Sequence, residues 1–205
     1  MLENIIWLGH ASFKIKEKSK NIYIDPWQLV PNQEKADLIL ITHEHYDHCS
    51  QEDVNSLLKK ETIIITTQAS AKKLKGNTKI IKPNETLEFG DIKVEAVFAY
   101  NLNKPYHPKN DNFVGFVITS EDMRIYHAGD SDFIPEMKSL KVDVILVPIG
   151  GTYTMDAREA AKLVNELKPK FAIPMHYGSI IGGDKELEEF KKLSKVNVII
   201  RKSYE

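Results

Sequence analysis

Directly after an apolar run at residues 38–41, the chain reads Thr42-His43-Glu44-His45-Tyr46-Asp47-His48, three imidazoles and a carboxylate within six residues. A turn that only needed polarity would use Asn, Gly or Ser. A buried strand that delivers a dense set of ligands to one turn therefore constrains the fold more than any other feature. His43 and His45, leaving the strand end, can aim at one ion. Asp47 and His48 fall on the far side of the turn and can serve a second ion nearby. Imidazole and carboxylate suit zinc, manganese, iron or nickel rather than calcium or magnesium.

Bulk properties set limits around this motif. A chain of 205 residues can form one large domain or two small halves sharing a core. The single cysteine, Cys49, excludes a disulfide framework and points to a reducing, cytoplasmic setting. Met1-Leu2-Glu3-Asn4 carries an acid and no basic stretch, so it does not read as a signal peptide. The longest uncharged stretches, 144–155 and 171–183, are too short and too broken by Gly and Pro to span a bilayer. A net charge of −1 exerts no general pull on nucleic acid, so a small-molecule substrate is expected. Lys72, Lys73, Lys75, Lys79 and Lys82 read as a solvated face rather than a phosphate-binding patch.

Short strands are predicted at residues 5–8, 13–15, 22–24, 38–42 and 63–65. Ser50 is expected to cap a helix, with Asp53 as its capping-box partner, and 69–75 to form a second short helix. Residues 86–89 and 92–98 read as a hairpin turned at Gly90-Asp91. The second half repeats the grammar. Strands are predicted at 113–119 and 124–127 around a turn at Glu121-Asp122, then at 144–147, 171–173 and 196–200. A short helix is expected at 134–140. Asp156 should cap a longer one with Ala160, Leu163, Val164 and Leu167 inward, and Leu187, Phe190 and Leu193 should stripe the last. The α/β arrangement that buries all these faces is a four-layer αβ/βα sandwich: two mixed β-sheets face to face, helices outside. One domain over 1–205 is expected, built from similar halves of about 1–100 and 101–205.

Further ligand types recur where later strands end: His127-Ala128-Gly129-Asp130 after one strand and His176 after another. Strand ends are rigid supports, which a metal site needs. Taken singly, Asp130 could be a turn aspartate and His176 a satisfied core histidine. Together with the 43–48 cluster they describe a two-metal site.

With His43, His45, Asp47 and His48 in an H-x-H-x-D-H pattern, followed by Gly129-Asp130 and a late His176, the chain resembles the metallo-β-lactamase superfamily. The opening Ile6-Trp7-Leu8-Gly9-His10-Ala11-Ser12 and Ile24-Asp25-Pro26-Trp27 resemble the branch that holds sugar-phosphate lactonases and N-acyl phosphatidylethanolamine phospholipase D. The resemblance covers essentially the whole chain. It implies His43 and His45 on a first metal, Asp47, His48 and His176 on a second, and Asp130 bridging both. It also implies a departure. Members usually supply another first-metal histidine after the strand at 92–98, where this chain reads Ala99-Tyr100-Asn101. Either His107 folds back from the following loop, or the first site has fewer imidazoles than usual. His10 could also approach the metals, and His127 fits a supporting role better than ligation.

The chemistry implied is hydrolysis. Two divalent ions about 4 Å apart, zinc foremost, with manganese, nickel or iron as other candidates, bring the pKa of a bridging water to roughly 7. Asp47 and Asp130 would be the catalytic carboxylates that offset charge and orient it. Neither a Gly-x-Ser-x-Gly elbow nor a nucleotide-type Gly-rich loop is present, and Cys49 reads as a small buried residue. Loops 102–112 and 150–154 are expected to wall the pocket, with Thr152, Tyr153 and Tyr177 either donating to substrate oxygens or packing. The substrate expected is a small ester, lactone or phosphodiester, and a homo-oligomer is compatible with the sequence. Two other readings stand: an iron sulfur dioxygenase, and a non-catalytic binding protein on the same scaffold. His45 argues against di-iron oxygen-reducing relatives, which carry glutamate there.

Overall fold

The computed structural model describes residues 2–120 and 123–202. Contacts divide the chain between Ile81 and Lys82, with Arg201 returning to the first unit, where its guanidinium donates to the Leu2 carbonyl at 2.5 Å.

The first unit holds a six-stranded sheet in sequence order, β1 (Ile5–Gly9), β2 (Ser12–Glu17), β3 (Lys20–Ile24), β4 (Leu38–Ile41), β5 (Ile63–Thr66) and β6 (Asn77–Ile80). β1 to β3 form an antiparallel meander, and β3 to β6 run parallel. β4 is buried at every position, as expected of a central parallel strand. Helix α1 (Gln51–Leu57) returns the chain to β5 and buries Val54 and Leu57 in a cluster with Ile39, Ile41, Ile64 and Leu74. Ser50 Oγ accepts from Asp53 N at 3.2 Å, so the cap forms as predicted. The second half of the capping box does not. The Asp53 carboxylate instead accepts from Gln28 N and Leu29 N, at 3.0 and 2.9 Å, and ties down the loop after β3. Helix α2 is only Gln68–Ala71, shorter than predicted. β6 was not predicted, because its exposed edge shows neither alternation nor an apolar run.

The second unit holds seven strands in the order β13-β12-β11-β10-β9-β8-β7. β7 (Thr86–Phe89) and β8 (Ile92–Phe98) form the predicted hairpin, with Gly90 at φ 66°. β8 pairs along its length with β9 (Val114–Thr119), which places the hairpin in this sheet and moves the boundary from about residue 100 to 81/82. β9 pairs antiparallel with β10 (Arg124–His127); the predicted turn at Glu121-Asp122 lies outside the described residues. β10, β11 (Val144–Pro148), β12 (Phe171–Met175) and β13 (Asn197–Val198) are parallel. The predicted helix at 134–140 is a 3₁₀ turn, Pro135–Ser139. In α3 (Ala157–Leu167), Asp156 Oδ1 caps Glu159 N at 2.8 Å, and Ala160, Leu163 and Val164 are buried while Leu167 is half-buried. α4 (Asp184–Leu193) buries Leu187 and Phe190 but leaves Leu193 40% exposed, so its stripe is two residues long. Among the described residues no helix is long and apolar enough to cross a membrane.

Each unit thus repeats one plan, an antiparallel meander leading into parallel strands. In both, the candidate site residues follow strand C-terminal ends.

Candidate metal centre

Three non-glycine residues of the candidate site adopt left-handed backbone just beyond strands: His10 (φ 48°) after β1, Asp25 (φ 45°) after β3 and His176 (φ 57°) after β12. Such conformations cost of order 1 kcal/mol each and persist where the surroundings enforce them, commonly at functional sites. His10 is enforced by Trp7, whose indole N–H donates to its carbonyl at 2.9 Å. Next to His176 the requirement falls on Gly150, where a Cβ would collide with the His176 carbonyl.

In the first unit the anchor is Asp25, fully buried at the end of β3. Its Oδ1 accepts from Thr42 N at 2.8 Å, and its Oδ2 accepts from Thr42 Oγ1 at 2.6 Å and His48 Nδ1 at 2.8 Å. A carboxylate only accepts, so His48 carries its proton on Nδ1 and keeps its lone pair on Nε2. The Thr42 hydroxyl has one proton, and Asp25 takes it. Thr42 Oγ1 must therefore accept from His43 Nδ1, 2.9 Å away, which leaves the His43 lone pair on Nε2 as well. One buried carboxylate thus sets the tautomer of two imidazoles, the arrangement by which proteins orient histidine ligands.

The 43–48 turn is closed by the His45 carbonyl, which accepts from His48 N and Cys49 N at 3.1 and 2.9 Å. The His43 ring stands 4.7 Å from His45 and 4.1 Å from His48, centre to centre. Asp47 Oδ2 lies 3.0 Å from His10 Nε2 and 3.7 Å from His48 Nε2. Trp27 stands edge-on to both His10 and Tyr46, and Tyr46 is 68% exposed. Cys49 is buried, and burial, reinforced by Asp25, pushes its thiol up to about 11.

The second unit repeats the motif. Asp130 Oδ2 lies 3.1 Å from His176 Nε2 and 3.6 Å from His107 Nε2, with all three residues buried. The chain folds His107 back: Asn101 N donates to the His107 carbonyl at 2.8 Å, and His107 N donates to Asn101 Oδ1 at 3.2 Å. Tyr153 contributes its carbonyl, 3.2 Å from His107 Nδ1, while its ring stands 4.7 Å from that of Tyr106. His127 Nδ1 accepts from Gly129 N at 3.2 Å, which shapes the turn leading to Asp130. Thr152 is exposed at φ 43°; Tyr177 is buried, and burial, with Asp184 adding to it, pushes its phenol above the usual range.

The first unit therefore gathers His10, His43, His45, Asp47 and His48, and the second His107, Asp130 and His176. Sequence reasoning passed over Asp25, Thr42, Asn101 and Asp132 as site residues. For Asp25 a signal existed: an acid directly ending the apolar strand segment 22–24.

Comparison with known proteins fixes the class. Residues 4–176 match the model of the Beta-lactamase superfamily domain, and the chain belongs to that family, the metallo-β-lactamase superfamily its motifs resemble. A UPF0173 protein of Pyrococcus abyssi is 38% identical over 189 residues, covering 89% of this chain and 87% of its own. A UPF0173 metal-dependent hydrolase of Thermoplasma acidophilum is 36% identical over 207 residues, covering 93% and 90%. Within the superfamily the chain is a member of these UPF0173 metal-dependent hydrolases, and so an enzyme of the hydrolase class. A crystal structure from Parabacteroides distasonis, named as a metal-dependent hydrolase, superposes with a TM-score of 0.89 at 35% identity, covering 98% of this chain and 93% of its own. That likeness bears out the α/β class of two mixed sheets with helices.

Proposed function

We propose that this hydrolase holds two divalent metal ions, zinc foremost, and uses them against a small ester, lactone or phosphodiester. His43 and His45, with His107, would hold the first ion; Asp47, His48 and His176 would hold the second, and Asp130 would serve both. His10 lies beside Asp47. The observation that carries the reading is the repeated half-site: in each unit one carboxylate oxygen, of Asp47 or Asp130, faces two imidazole Nε2 atoms.

The donor set fits zinc, manganese or iron better than a hard alkaline-earth ion. Bound divalent ions supply a water ionised near neutral pH and a Lewis acid for the substrate oxygen. The chain's own residues prepare the rest. Asp25 and Thr42 hold His43 and His48 with their lone pairs on Nε2. Asp47 and Asp130 would offset part of the cationic charge and orient that water. The Cys49 thiol, protonated at neutral pH, supports hydrolysis without a covalent enzyme intermediate. A lone buried cysteine supports a cytoplasmic setting.

A panel of p-nitrophenyl esters, lactones and bis-phosphodiesters, assayed before and after exhaustive chelation and after metal add-back, tests the reading. Turnover of one class, lost on chelation and restored by zinc or manganese, is expected. Turnover that survives complete metal removal would overturn it.

A further inference from the structure

We propose that Asn101 is a positioning residue that fixes the tautomer and direction of His107, and that the Lys104–Asp132 pair locks Asn101 in place. The inference rests on the reading of His107 as a ligand. The Asn101 amide can be oriented only one way. Its Nδ2 faces three acceptors, the Tyr153 carbonyl at 3.0 Å, Asp132 Oδ1 at 3.1 Å and the Asp130 carbonyl at 3.4 Å. Its Oδ1 therefore faces His107, accepting from His107 N at 3.2 Å and lying 2.9 Å from Nδ1. His107 Nδ1 faces two acceptors, Asn101 Oδ1 and the Tyr153 carbonyl at 3.2 Å, so it carries the proton. The lone pair is left on Nε2, the atom that faces Asp130.

Asp132 is 3% exposed and itself needs compensation, which Lys104 Nζ and Leu102 N supply, the latter at 2.9 Å. Lys104 also donates to the Thr154 carbonyl at 2.9 Å, joining the loop that carries His107 to the one that carries Tyr153. Asn101 thus holds the histidine that arrives six residues later in the chain.

The test uses the full-length protein, metal-free for the tautomer and titrated with zinc for the affinity. Imidazole ¹⁵N NMR of the wild type should show His107 protonated on Nδ1; a proton on Nε2 would overturn the inference without any variant. Asn101→Ala should lose that signature and weaken zinc binding, measured by chelator competition, by about 10- to 100-fold. Asn101→Asp keeps an acceptor for Nδ1 but repels Asp132, so it should lower thermal stability while His107 stays protonated on Nδ1. A purely structural Asn101 would move stability and leave the tautomer unchanged in both variants. His107→Ala separates the two claims. If it binds zinc like the wild type, the ligand reading fails; if it weakens binding and Asn101→Ala does not, the positioning claim fails alone.

Discussion

Asp25→Asn is the sharpest perturbation of the first half-site, because it changes hydrogen-bonding character at almost constant volume. The carboxylate meets three donors: Thr42 N, Thr42 Oγ1 and His48 Nδ1, at 2.8, 2.6 and 2.8 Å. An amide has one acceptor atom, so its NH₂ must face at least one donor. In the better orientation the oxygen keeps Thr42 Oγ1 and His48 Nδ1, and the NH₂ opposes Thr42 N–H. Losing one charge-assisted bond costs about 1.5–3 kcal/mol, and a buried donor left unmet adds about 1–3 kcal/mol. The site is fully buried, so solvent does not discount the sum, and a loss of about 2.5–6 kcal/mol is expected. That is a large share of a typical domain's stability of about 5–15 kcal/mol. Urea unfolding at fixed metal occupancy measures it as a lower midpoint at unchanged slope. In the other orientation the amide favours the opposite tautomer of His48, so zinc affinity should fall by about 10- to 100-fold as well. A stability loss under about 1 kcal/mol with unchanged zinc affinity would refute the tautomer argument.

Cys49→Ala should leave turnover and metal content nearly unchanged. In the wild type, iodoacetamide should label Cys49 slowly at pH 8 and faster as pH rises towards about 11, because its raised pKa keeps the thiolate scarce below that; rapid labelling at pH 7 would contradict this. Tyr126 is fully buried, and its hydroxyl has no hydrogen-bond partner among the described residues. Tyr126→Phe should therefore be neutral or stabilise by about 1 kcal/mol in thermal or urea unfolding; a loss above about 1 kcal/mol would show that the hydroxyl is satisfied.

Much of this was legible from residues alone where the chain obeys local rules. The apolar strand at 38–41 had to be central, Ser50 and Asp156 had to cap helices, and Gly90-Asp91 had to turn a hairpin. What escaped depended on distant partners. Asp53 has the spacing of a capping box, but two backbone amides of the 28–29 loop compete for its carboxylate and win. β6 forms because β5 offers it an edge, not because residues 77–80 prefer a strand. The half boundary shifted because β8 pairs with β9, a long-range choice that hairpin chemistry does not set. At the site, ligand-type residues were visible because histidine is rarely clustered without cause. Their supports, Asp25 and Asn101, are ordinary residue types whose meaning appears only when their hydrogen-bond partners are known.

The proposed centre needs carboxylates and imidazoles far apart in sequence to hold metal together, Asp130 among them. Metal analysis by plasma mass spectrometry, on wild type and Asp130→Ala purified without added metal, tests it most directly, with activity read on the same samples. Close to two transition-metal ions per wild-type chain are expected, with loss of both metal and turnover in the variant. A metal-free wild type that still turns over substrate, or a variant that keeps full metal and activity, would contradict it.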